Sequence, residues 1–87
     1  MQLTVGSIVR STAGHDADGF YAVTSVQEGY VSLADGKVRK LERPKRKSIK
    51  HIRKTNTVLD ASSMKTNKKL REALGAFRKD EGGNVIV

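Results

Sequence analysis

Residues 37–54, KVRKLERPKRKSIKHIRK, hold ten of the chain's seventeen Lys and Arg against a single acid, Glu42. The local charge of about +9 exceeds the +8 of the whole chain, because residues 1–36 carry about −3 and residues 55–87 about +2. Charge at this density repels itself and destabilises a compact state unless a polyanion lies nearby. Nucleic acid is the expected partner.

The rest of the composition narrows the class. With 87 residues there is room for one small domain and a short appendage, too little to enclose a deep substrate cavity. The absence of cysteine rules out disulfides, thiolate nucleophiles and Cys-type zinc sites. His15 and His51 stand too far apart in sequence to suggest a metal-ligand pair. No apolar run approaches the roughly 20 residues of a membrane span, and the N-terminus lacks a signal peptide's apolar core. The expected setting is the cytoplasm, with no membrane partner, no small-molecule substrate and no cofactor.

Residues 3–33 read as β. Three short apolar stretches, 3–9, 20–26 and 30–33, are rich in Val, Ile, Tyr and Phe. The loop 11–19 carries Gly14 and Gly19 with Asp16 and Asp18, and Gln27-Glu28-Gly29 suits a tight hairpin. After Asp35-Gly36 a fourth strand is expected over 37–41, ended by Pro44, with Lys45, Arg46 and Lys47 as a loop that is solvated or paired with anions. A short fifth strand is expected at 51–53, with Ile49 and Ile52 as core contacts. Strands this short predict a mainly β chain folded as a small SH3-like barrel over 1–57. An OB-fold, the nearest rival, normally needs longer strands.

Residues 58–66 read as a connector. From Asn67 the period changes, with Leu70, Ala73, Leu74 and Phe77 on one face of an amphipathic C-terminal α-helix over 67–81. Thr66 or Asn67 can cap it, Gly82-Gly83 is expected to end it, and 82–87 forms a tail. A helix this short is marginal alone and needs its apolar stripe docked, at home or on a protein partner through 67–79.

The segment VGSIVRSTAGHDADGFYAV, residues 5–23, runs from a strand through Gly14 and a polar loop into an aromatic and aliphatic strand. It resembles the KOW motif of several ribosomal proteins and transcription elongation factors, with Gly14 as the central glycine. Residues 6–11, 35–40, 42–47 and 49–52 extend the likeness to the small bacterial KOW-domain RNA-binding proteins. Those are similar in turn to a eukaryotic-type large-subunit ribosomal protein family. The resemblance covers roughly 3–57, with a weaker echo at Thr66-Asn67 and 70–74. It implies an SH3-like barrel that binds structured RNA, ribosomal RNA in particular. The chain departs from it at His15, where relatives often carry Arg or Lys; a neutral imidazole can still stack or hydrogen-bond.

The candidate RNA-binding residues are Ser11, Gly14 and His15 of the loop and the cations Lys37, Arg39, Lys40, Arg43, Lys45, Arg46, Lys47, Lys50, Arg53 and Lys54. Arg suits bidentate phosphate grip and stacking, and Lys acts as a point charge. If 37–41 is a strand, Lys37, Arg39 and Leu41 share one face while Val38 and Lys40 share the other. Tyr21 is assigned to the core, and Tyr30 stays open between core and stacking platform. Asp16 and Asp18 with His15 are the nearest approach to a metal or catalytic cluster. Turn aspartates that satisfy local backbone N–H groups explain them more cheaply. No nucleophile–base pair or phosphate-loop signature occurs, so the chain is not expected to be an enzyme. A protein-interaction adaptor using the helix and a non-specific nucleic-acid packaging protein are the competing functions.

Overall fold

A computed structural model describes residues 3–14 and 19–85. The chain is mainly β, a five-stranded antiparallel sheet followed by one helix. The strands are β1 (Ser7–Ser11), β2 (Phe20–Gln27), β3 (Tyr30–Ala34), β4 (Lys45–Ser48) and β5 (Ile52–Val58), and the helix is α1 (Asn67–Val85). The sheet order is β4-β3-β2-β1-β5, so the two outermost strands are consecutive in the chain. A 3-10 turn, Ile49–His51, joins them. That turn bonds to both sides of the sheet: Thr12 N donates to His51 O at 2.9 Å and Ile49 N donates to Gly29 O at 3.1 Å. The sheet is thereby curled into a small β-barrel-like fold.

Both faces of the central strands are buried, which explains why they read as unbroken apolar runs rather than an apolar–polar alternation. Alternate residues serve alternate cores. Val9, Tyr21, Val23, Val31, Leu33 and Ile52 fill the barrel interior, with Leu3 and Ile49 packed beside them. Ile8, Ala22 and Ala34 face the other way and meet Leu70, Leu74 and Phe77 of α1. Ile8 pairs with Ala22 and Ala22 with Ala34, so these three form one row across three strands. Two alanines in that row leave room for the helix to lie close. Phe20 meets Phe77 edge-on, with ring centroids 5.2 Å apart. Leu70, Leu74 and Phe77 of the expected stripe are thus docked on the sheet, while Ala73 is half-buried outside that core. No helix among the described residues is long and apolar enough to cross a membrane.

The expected fourth strand is displaced. Residues 37–41 form no strand, and β4 is built from Lys45–Ser48, the segment expected as a loop. The cause lies at Asp35, whose Oδ1 accepts from Lys37 N at 2.9 Å and Arg39 N at 2.8 Å. Asp35 N and Gly36 N both donate to Arg39 O, closing 35–39 into a tight loop. Pro44 sits immediately before β4, where its missing N–H costs no ladder bond. The pairing of β4 with β3 is a backbone matter, and the basic side chains do not prevent it. Lys47 lies opposite Val31 and Lys45 opposite Leu33.

Two boundaries also differ from expectation. β5 extends from Ile52 to Val58, beyond the expected 51–53, because its polar residues carry no apolar signal. It is held by pairing with β1 and by the Thr55 hydroxyl, which donates to Ile8 O at 2.7 Å. α1 continues through Gly82-Gly83 to Val85. Glycine permits a left-handed helix end but does not impose one. Ile86 and Val87, the last residues of the expected tail, lie outside the described residues.

Replacing Leu74, fully buried between helix and sheet, by Ala should destabilise the fold by about 2–5 kcal/mol in urea unfolding. A loss below about 1 kcal/mol would show that the helix is not held by this stripe.

Candidate nucleic-acid interface

The candidate interface divides into three parts, each held differently. Residues 35–43 form the first, folded around Asp35 and laid against the first turn of α1. Here Lys37, Lys40 and Arg43 are exposed and Arg39 is half-buried. Val38 stands 72% exposed between two cations, so no strand face organises this loop. Gly36 is buried with φ +77°, and a Cβ there would strike the Asn67 carbonyl oxygen and crowd Arg71.

Thr66 caps the helix, its Oγ1 accepting from Lys69 N at 3.1 Å, which leaves the Asn67 side chain for other bonds. Asn67 Oδ1 accepts from Leu41 N at 2.8 Å, and Asn67 Nδ2 donates to Glu42 Oε1 at 2.8 Å. Arg71 Nη1 donates to Gly36 O at 2.8 Å. The Asn67 bond, helped by a backbone bond and by the nearby Lys40 charge, holds the Glu42 carboxyl below its ordinary value of 4.5.

β4 is the second part. Lys45 and Arg46 are exposed, and the Arg46 guanidinium lies 4.2 Å from the centroid of the Tyr30 ring. Tyr30 is 41% exposed, so it is a surface ring carrying a cation rather than a core residue, whereas Tyr21 is buried as expected. Lys47 is different. It is buried at 9% exposure, and its ammonium donates to Ala13 O at 2.7 Å. The geometry makes it a strut for the β1–β2 loop.

That loop is the third part. Ser11 is fully buried, its hydroxyl donating to Ala13 O at 3.3 Å and its backbone N–H to Gly19 O at 3.0 Å. Gly14 is exposed at φ +78°, a left-handed position suited to glycine. His15, Asp16 and Asp18 lie outside the described residues. Ser11 and Lys47 therefore shape the loop from within, and Thr12 and Gly14 are exposed.

Loop 35–43, β4 and loop 12–14 make one continuous path, joined by Pro44 and by the Lys47–Ala13 bond. Lys50 is exposed on the 3-10 turn, while Arg53 and Lys54 are exposed on β5, paired with β1. Arg10 of β1, exposed and directly opposite Arg53, is a cation that sequence reasoning missed. Lying far outside the basic run, it carries no sequence signal; only the strand register finds it.

Two measurements check these assignments. Lys47→Met should cost about 1.5–3 kcal/mol of stability by removing a charged hydrogen bond, whereas Lys45→Met should stay within about 0.5 kcal/mol. In an NMR titration, Asn67→Ala should move the Glu42 midpoint upward toward 4.5. With a depressed carboxyl, the stabilisation is present above the ordinary value and is lost as pH falls through the folded one. An unchanged midpoint in the variant would mean that Asn67 does not stabilise the carboxylate.

Neither a protein-family model nor a curated protein matches this chain.

Proposed function

We propose that this is a non-catalytic RNA-binding protein of KOW type, recognising structured RNA, ribosomal RNA above all, in the cytoplasm. The observation that carries the reading is the set of exposed cations Lys37, Lys40, Arg43, Lys45 and Arg46 on loop 35–43 and β4, which Lys47 ties to the Gly14 loop. Glu42, the single acid of residues 37–54, accepts a hydrogen bond from Asn67. Fixed cations on a small rigid barrel suit phosphates whose positions are set by a folded RNA. Exposed rings are scarce, which favours phosphate and shape recognition over a stacking-driven single-strand mode. Arg46 on Tyr30 is a ring–cation surface where an unpaired base would find a flat partner.

The adaptor reading needs an exposed apolar stripe on α1. Leu70, Leu74 and Phe77 lie instead against Ile8, Ala22 and Ala34, which favours RNA as the partner.

If roughly five phosphates are neutralised, log K for folded ribosomal RNA should fall with log salt at a slope of about −3.5 to −4.5. The double replacement Lys45→Ala, Arg46→Ala should make that slope shallower by about 1.5. A salt-insensitive affinity would overturn the reading, and equal affinity for duplex DNA at the same salt would favour packaging. Partners that survive nuclease treatment in a pull-down would favour the adaptor.

A further inference from the structure

The loop that carries Lys37, Lys40 and Arg43 is not shaped by itself alone. Asp35 closes its first half, but its second half is fastened to the helix, 25 to 35 residues further along the chain. Three side-chain bonds, each 2.8 Å, tie Leu41, Glu42 and Gly36 to Asn67 and Arg71. Gly36 adds a close backbone approach that any Cβ would block. Asn67 uses both ends of its amide on the loop, and those two partners fix its orientation: a backbone N–H requires the oxygen, and a carboxylate requires the nitrogen. Glu42 is the only acid in a run of ten cations. Its bond to Asn67 gives it a task other than neutralisation.

We infer that α1 sets the shape of the polyanion-binding loop, with Asn67 and Glu42 as positioning residues that hold Lys37, Lys40 and Arg43 in a fixed spacing. The inference rests on the RNA-binding reading and adds to it a source of selectivity. An unfastened polar loop would have to be ordered by the ligand at an entropic cost, and a fastened one presents its charges already spaced. Fixed spacing matters for a folded RNA, whose phosphates are themselves fixed. It matters little for a flexible polyanion, which adapts to any arrangement of cations. The helix that completes the barrel's outer core is on this account also the template of the loop.

Charge-matched variants test this. Glu42→Gln and Glu42→Ala raise the net charge equally, but only Gln keeps a side-chain oxygen for Asn67 Nδ2. The probes are purified ribosomal RNA folded with magnesium, and heparin as a flexible polyanion. Glu42→Ala should bind the RNA about five- to tenfold more weakly than Glu42→Gln, while the two bind heparin within about twofold of each other. Asn67→Ala, with the wild-type charge, should weaken RNA binding by about tenfold and leave heparin binding unchanged. In the protein alone, amide exchange at Leu41 should accelerate in Asn67→Ala while Ala22 and Val23 in β2 keep their protection, showing that the fold is intact.

If wild type prefers the RNA but the two Glu42 variants bind it equally, the positioning role is overturned and the RNA reading stands. The same holds if Leu41 stays as protected in Asn67→Ala as in wild type. If wild type binds RNA and heparin equally well, the RNA reading falls and the selectivity role falls with it.

Discussion

The docking of α1 on the row Ile8, Ala22 and Ala34 is the contact on which the rest of this structure depends. A chain of this length has little apolar surface to bury, and here one sheet serves two cores. The barrel interior takes one set of alternate side chains, and the helix covers the other. Without Leu70, Leu74 and Phe77, the outward set would face water, and a helix of this kind has little stability of its own. The two alanines in the row matter because they are small, since larger side chains there would hold the helix away from the strands and from the loop it fastens.

Docking also decides the electrostatics. Once the helix lies on the sheet, its first turn stands beside residues 35–43, and Asn67 and Arg71 fasten that loop. At the other end of the basic path, Lys47 gives its ammonium to Ala13 and ties β4 to the Gly14 loop. A charge run that looks uniform is thus of two kinds. Lys37, Lys40, Arg43, Lys45 and Arg46 face solvent, while Lys47 supports a neighbour. Burying a lysine stem while its head meets a carbonyl lets a basic strand pair beside Val31 without leaving the charge unsatisfied.

Much of the fold was legible in the sequence. The β-branched and aromatic runs located β1 to β3, Gly29 marked their hairpin, and the 3.6-residue period located α1 with its buried stripe. The site was legible as a set of cations but not as an arrangement. β4 was misplaced because local cues point to 37–41, where Val38 lies between cations after an Asp-Gly turn. The deciding bonds, from Asp35 to two backbone amides and from Asn67 to Leu41 and Glu42, are invisible to periodicity. β5 was shortened because a polar edge strand is held by backbone pairing, which leaves no trace in side-chain type. Arg10 was missed for a related reason, since only the β1–β5 register sets it opposite Arg53.

What the sequence determined by itself follows from local rules: where the chain turns, which residues are apolar with which period, and where positive charge is densest. Strand alternation, helix period and charge density are properties of neighbours in the chain. Only the tertiary structure decided which cations face outward and which loop they stand on. It also decided that the helix covers its own sheet. Those outcomes depend on pairs such as Lys47 with Ala13, Asn67 with Glu42 and Arg71 with Gly36, which are distant in sequence. A hydrogen bond between remote residues exists only after the packing that brings them together, so its consequences cannot be read one residue at a time.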